Sequence, residues 1–236
     1  MKCSVILVAH YRPDWFIGAL RSLFYQTSKD FEIIVVNDVP FCQEEITRIY
    51  GLPDRTTYIK YKKGVLLGGA RNIGLRMAEG EYIICLDDDD VFYPDHIDRL
   101  IKCLDSNPAV DLAYTDYNKQ FHREDEGRRW VHAKDRIPCK CGEFSIHRMM
   151  GGNFIPVCCI MFRKKLINDV GMFDDAVESH EDWDLWARMT HANKVWKYLP
   201  GHTCEVSWRG NTMTSNGEIM NGGRKKVIEK IRKLRS

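Results

Sequence analysis

Three short apolar runs constrain this chain more than anything else in it. "KCSVILVAH", "FEIIVVND" and "EYIICL" are rich in branched residues and lack polar alternation. Such runs are strands buried on both faces, as in parallel sheets covered by helices on each side. Each breaks into polar residues: Ala9–His10–Tyr11 after the first, Asn37–Asp38 after the second, and four aspartates, Asp87 to Asp90, after the third. Sheets of this type bind ligands beyond the carboxyl ends of their strands, so the three polar ends are expected along one crevice.

The segments between the runs have helical spacing. Phe16, Ile17, Leu20, Leu23 and Phe24 fall on one side of a helix. "EEITRIY" predicts a short helix and "TTYIKY" a further strand. "GGARNIGLRMAEG" predicts a helix opened by glycines and closed at Gly80. "YPDHIDRLIKCLDSNP" predicts another, with Pro94 in its first turn, and "VDLAYTDY" a strand. Strands alternating with helices make the fold class α/β, a Rossmann-like doubly wound and mostly parallel sheet. Residues 117–150 are polar, basic and aromatic without a clean period, and read as a long loop or small excursion. "NFIPVCCIMFRKKLI" restores a strand and a turn into a helix, and "ESHEDWDLWARMTHAN" is a strong helix.

No apolar run approaches the roughly 20 residues that span a bilayer. The start has a basic residue and a short apolar run but no small-residue cleavage site, so it reads as a first strand and not as a signal peptide. Nine cysteines are scattered, several within apolar runs (Cys3, Cys85, Cys158, Cys159), which points to a reduced, cytoplasmic protein. "CKC" and "CC" lack C-x2-C spacing, so free thiols are expected there over structural zinc. The net charge is only +2, yet from Arg224 onward seven basic residues face one acid. Val227, Ile228, Ile231 and Leu234 run through this segment at helical spacing. It reads either as a helix packed on the body or as one lying at an anionic membrane surface.

Two acidic clusters carry the candidate chemistry. Neighbouring carboxylates repel unless a cation sits among them. Blandly, Asp87–Asp90 is a solvated turn; functionally, hard oxygens at a strand end suit Mg²⁺ or Mn²⁺, which keep open positions for substrate phosphates. In "SHEDWD", Ser179 and Asp182 have the spacing of a capping box. A carboxylate at such a helix N-terminus is also expected to keep a low pKa and serve as a general base. "GVLLGGARNIG" is a weak anion signal and no Walker motif, and Arg71 either meets a phosphate or pairs with a carboxylate.

"CSVILVAHYRP", "FEIIVVND", "GGARNIGLRMAEGEYIICLDDDDVFYP", "GMFDD" and "HEDWDLWARM" together resemble, in order and spacing, the family 2 glycosyltransferases over roughly residues 2–210. That resemblance implies an inverting enzyme of the A-type nucleotide-diphospho-sugar fold. It implies that Asp38 contacts the donor's base, with Ala9 and Tyr11 beside it, and that Arg71 is a donor-site arginine. Asp87 and Asp89 match the metal-binding D-x-D pattern, Asp89 being the direct ligand. Asp182 matches the catalytic base, with Glu181 beside it and Trp183 near the acceptor. Two departures stand out: "NDVP" replaces the usual "DDGS"-like turn, and in "WRGNT" no histidine follows to supply the late metal contact of some members.

The expected activity is transfer of a sugar from a nucleotide-diphospho-sugar, a UDP-sugar by the match to uracil's N3–H, onto a glycan or lipid-linked acceptor hydroxyl with Mn²⁺ or Mg²⁺. The expected organisation is one domain over 1–216, with a nucleotide-sugar half at 1–116 and an acceptor half at 117–216, then a basic helix at 217–236. Cytoplasmic residence is expected, at most peripheral to the inner face of the membrane, and no nucleic-acid partner. Two other classes compete. A metal-dependent nuclease usually draws carboxylates from its first strand, which here ends "VAHYRP". A binding module without chemistry would have little use for both acidic clusters.

Overall fold

The computed structural model describes residues 1–10, 12–37, 54–61, 64–124, 130–132, 136–208 and 216–235. Strand β1 (Cys3–Ala9) pairs in parallel with β2 (Phe31–Asn37), and β3 (Thr56–Lys60) extends the sheet beyond β2. On the other side of β1 lies β4 (Tyr82–Asp87), also parallel. Every residue of β1 and β2 is buried. Helix α1 (Pro13–Phe24) buries Phe16, Ala19, Leu20 and Leu23, and α2 (Leu67–Met77) buries Ala70 and Leu75. Each such leucine or phenylalanine side chain contributes about 1.5–3 kcal/mol when fully withdrawn from water.

Register sets Ala9 beside Asn37 and Val8 beside Asp87, so the polar strand ends do converge on one edge. The expected helix at "EEITRIY" lies outside the described residues. Helix α2 ends at Met77 with Ala78 as its cap, three residues short of the expected Gly80. Pro94 is likewise not in a first turn: a two-residue strand β5 (Val91–Phe92) comes first, and α3 (His96–Ser106) begins after Asp95.

Of the long loop or small excursion expected at 117–150, the described residues form the excursion. Strand β6 (Leu112–Glu124) runs well past Tyr117, and the short strands β7 (Trp130–His132) and β8 (Ile137–Cys139) fold back antiparallel on it, followed by helix α4 (Ile146–Gly151). Period-2 alternation is masked there because mixed polar and aromatic residues sit on a half-covered sheet. A 3₁₀ turn (Val157–Cys159) then leads into β9 (Ile160–Arg163), which is antiparallel to both β4 and β6 and so stitches the two halves into one sheet. After helices α5 (Leu166–Val170) and α6 (Glu181–His191), β10 (Trp196–Trp208) pairs in parallel with β6. The order across the sheet is β3-β2-β1-β4-β9-β6-β10-β5.

Helix α7 (Gly217–Arg235) packs along α6. Val227 and Ile231 are buried against the body, which leaves Arg224, Lys225 and Lys226 facing outward. Among the described residues, no helix is long and apolar enough to cross a membrane.

His96 ties the start of α3 to the second half. Its Nε2–H donates to the Cys158 carbonyl at 3.0 Å, and its Nδ1 lies 2.6 Å from the Thr203 hydroxyl. Burial pushes its pKa down to about 3. The unfolded chain therefore binds a proton near pH 6.5 that the folded chain refuses, and stability present above that pH drains away as pH falls towards 3. The loss accrues at up to about 1.4 kcal/mol per pH unit. Urea unfolding at pH 7 and pH 5 is expected to show this slope, and His96→Gln to flatten it; equal slopes in both proteins would refute the assignment.

Candidate active site

The site is organised by one buried cation. Arg71, on the second turn of α2, is 1% exposed. Its guanidinium donates to Asp87 Oδ1 at 2.7 Å and pairs with Glu181. Burial alone would lower the arginine's pKa, but Asp87 and Glu181 outweigh it and hold the charge in place. One side chain thereby joins the end of β4 to the start of α6, and with them the two acidic clusters.

The glycines before Arg71 serve packing. A Cβ on Gly68 would stand 2.8 Å from the Asp174 carbonyl oxygen and 3.4 Å from Glu181 Cβ. Only a bare backbone lets α2 approach α6 closely enough for Arg71 to reach Glu181. That close contact accounts for the glycine at 68 without any ligand.

The aspartate run answers its own repulsion with arginines and backbone donors. Asp88 is fully buried and accepts from the His10 amide at 2.9 Å and from Arg12. Burial pushes its pKa up to about 7, against the pull of Arg12. Arg12 also donates to Asp89 Oδ2 at 2.7 Å, and the Ser207 amide donates to Asp90 Oδ1 at 3.0 Å. Asp87 and Asp89 are the partly exposed members, their side chains 25% and 12% accessible. Of the two, Asp87 lines the cleft, while Asp89 sits two residues on against Arg12; carboxylate oxygens of this kind are the hard donors that Mg²⁺ or Mn²⁺ takes.

At the second cluster, His180 takes the left-handed conformation (φ 64°) as N-cap of α6. This is an uncommon state for a non-glycine residue, costing on the order of 1–3 kcal/mol. The sharp turn presents Glu181 and Asp182 to the cleft. The capping box does not form: the Ser179 hydroxyl donates to the Ile219 carbonyl in α7 at 3.0 Å. Asp182 instead accepts from its neighbour's amide, Trp183 N–H, at 2.7 Å, and from Asn153 Nδ2 at 2.7 Å. The low pKa expected of a helix N-terminus is also overturned. Burial raises the carboxyls of both Glu181 and Asp182, while Arg71 pulls each partly back. Glu181 Oε2 is buried without a hydrogen-bond partner among the described residues.

A cleft of about 380 Å³ runs between the clusters, with Arg71, Asp87, Asp90, Glu181 and Asp182 on its wall. Lys119, Phe154, Trp208 and Met220 complete the other side. Ala9 is buried at the end of β1. Asp38, Tyr11 and the segment after Trp208 lie outside the described residues. Trp183, expected beside an acceptor, is instead a core residue: it is 1% exposed and its indole N–H donates to the Met149 carbonyl at 2.6 Å. One step of about 100° along the helix turns it inward from Asp182. Asp184 faces away from the cleft, paired with Arg188 at 2.8 Å and with Lys230 of α7.

Arg12 and Asn153 went unassigned in the sequence. Arg12 had a signal, as a lone cation at a strand end facing an acidic run. Asn153, in "GGNF", had none before the fold brought α4's exit next to α6.

With that arrangement in view, the relatives fall into place. The model of "Glycosyl transferase family 2" matches residues 4–171. The chain belongs to glycosyl transferase family 2. It is 28% identical over 196 residues to the uncharacterized glycosyltransferase YwdF of Bacillus subtilis, covering 83% of this chain and 70% of that one. An uncharacterized glycosyltransferase of Rickettsia conorii, RC0461, is 28% identical over 202 residues, 84% of this chain but only 32% of its own length. One of Haemophilus influenzae is 27% identical over 79% of this chain and 61% of its own. The chain thus spans between a third and seven tenths of these relatives. Among solved structures, S. aureus TarS 1–349 in complex with UDP-GlcNAc superposes with TM-score 0.73 at 17% identity, covering 99% of this chain and 72% of that one. The same fragment in complex with UDP gives 0.69 at 19% identity, over 93% of this chain and 63% of that one.

Removing Arg71 strands the buried Glu181 carboxylate and the partly exposed Asp87. Arg71→Leu is expected to destabilise the protein by about 3–5 kcal/mol. Chemical denaturation of the variant measures this directly, and a loss below 1 kcal/mol would mean that the clusters stand apart without it.

Proposed function

We propose that the chain is an inverting glycosyltransferase that moves a sugar from a UDP-sugar to an acceptor hydroxyl. The observation that carries this reading is the Asp87–Arg71–Glu181 bridge, which sets a carboxylate pair at a strand end across one cleft from Asp182. Inversion needs a base on the face of the sugar opposite the leaving group. Asp182 takes that role, with Asn153 and the Trp183 amide fixing its carboxylate. Its raised pKa suits the work, since a more basic carboxylate accepts the acceptor's proton more readily.

Glu181 orients the acceptor or its own loop through Arg71. Asp38 accepts from uracil N3–H, with Ala9 and Tyr11 lining the base. TarS, the structural neighbour, has been solved with UDP and with UDP-GlcNAc, which favours this donor class. Asp89 and Asp87 would hold a divalent ion, which would supply positive charge to the departing diphosphate. The outward basic face of α7 is assigned to an anionic membrane surface, in keeping with a glycan or lipid-linked acceptor.

Asp182→Asn keeps shape and removes basicity. It is expected to lower kcat by about 10²–10⁴-fold while UDP affinity and fold persist. In the parent enzyme, kcat/KM should fall on acidification at a pH above the ordinary aspartate range, because protonation of the base silences it. A variant with near-parental kcat would shift the role to Glu181.

Calorimetry tests the donor site apart from turnover. UDP is expected to bind more tightly with Mn²⁺ than in chelator, and more tightly than ADP. Asp89→Ala should erase the Mn²⁺ dependence. Affinity indifferent to Mn²⁺, or equal for the two nucleotides, removes the corresponding assignment.

A further inference from the structure

Three thiols meet beneath the cleft. Cys158 and Cys159 belong to the 3₁₀ turn before β9, and Cys204 lies in β10. All three are 0% exposed, and their sulfurs lie within 4.8 Å of one another. The Cys159 and Cys204 sulfurs are 3.4 Å apart. In a strand, neighbouring residues point to opposite faces. The 3₁₀ turn, closed by Cys159 N–H on the Pro156 carbonyl at 2.9 Å, brings both sulfurs to Cys204 instead. Cys141, 1% exposed on the segment after β8, interacts with the Cys159 thiol from outside that 4.8 Å group.

Size and chemistry both match a metal. A tetrahedral ion with Zn–S bonds of ~2.3 Å holds its sulfurs about 3.8 Å apart, which falls within the observed spacing. Sulfur donors select soft ions and disfavour the hard ions suited to Asp87 and Asp89.

We propose that Cys158, Cys159 and Cys204, with Cys141, form a structural site for a thiophilic d¹⁰ cation, Zn²⁺ or Cu⁺. On binding, each ligating thiol gives its proton to solvent and forms a metal–sulfur bond, so affinity weakens as pH falls. The site has a mechanical consequence. Pro156 and Val157 line the cleft on one side, and Val206 and Trp208 line it two and four residues beyond Cys204. A metal at the thiols staples these two walls together.

The test uses the intact chain purified anaerobically with reductant. Elemental analysis is expected to find a single equivalent of zinc or copper, and competition with bicinchoninate distinguishes Cu⁺ from Zn²⁺. Titration of the stripped protein with Co²⁺ should give a thiolate-to-cobalt charge-transfer band. Cys204→Ser should lose both metal and band, and Cys103→Ser, a buried thiol elsewhere, should keep them. Should Cys204→Ser fail to fold, Cys141→Ser, which removes only the fourth ligand, should still lower Co²⁺ affinity. A folded protein that takes up no metal and shows no band overturns the proposal. So does a band unchanged in both ligand variants, or thiol counting that finds Cys159 and Cys204 joined as a disulfide.

Discussion

A charge withdrawn from water must find its counter-charge within the protein, and Arg71 meets that demand by bridging Asp87 and Glu181. Much else follows from it. The bridge spans a sequence separation of 110 residues to Glu181, so the two halves of the chain cannot drift without exposing an ion. It requires α2 to lie hard against the loop before α6, which is why no side chain fits at position 68. It also explains why both carboxyls at the start of α6 are raised only in part: burial acts on each of them, and the same guanidinium opposes it.

The aspartate run shows how one repulsive stretch is divided among different partners. Asp87 goes to Arg71, Asp88 and Asp89 to Arg12, and Asp90 to the Ser207 amide of β10. The inner pair, Asp88 and Asp90, pins the loops around the strand ends, while the outer pair keeps partial access to solvent. Buried and partly accessible carboxylates thus alternate along four consecutive residues of the same type.

The first half of the fold was legible because its strands are buried on both faces, and continuous apolar runs are unambiguous there. Convergence of Ala9, Asn37 and Asp87 follows from parallel pairing alone. The second half was not, since β6 past Tyr117 carries residues such as Lys119 and His122 on a partly covered surface. Local rules also failed where distant partners intervened. Ser179 has the spacing of a cap, but its hydroxyl is taken by α7, forty residues away. Trp183 is next to the candidate base in sequence and a third of a helical turn away in space. "CC" carries no signal until Cys204 arrives from another strand.

Helix α7 contributes Met220 to the cleft, and at Gly223 it passes so close to Ser179 that a Cβ would sit 2.1 Å from the hydroxyl oxygen. Lys230 then locks it to Asp174 at 2.7 Å and to Asp184. One part of the cleft wall is therefore supplied by a helix that follows all the described strands in sequence. The described sheet can close without α7, whereas this wall of the cleft cannot, so scaffold and pocket are separable parts of one fold.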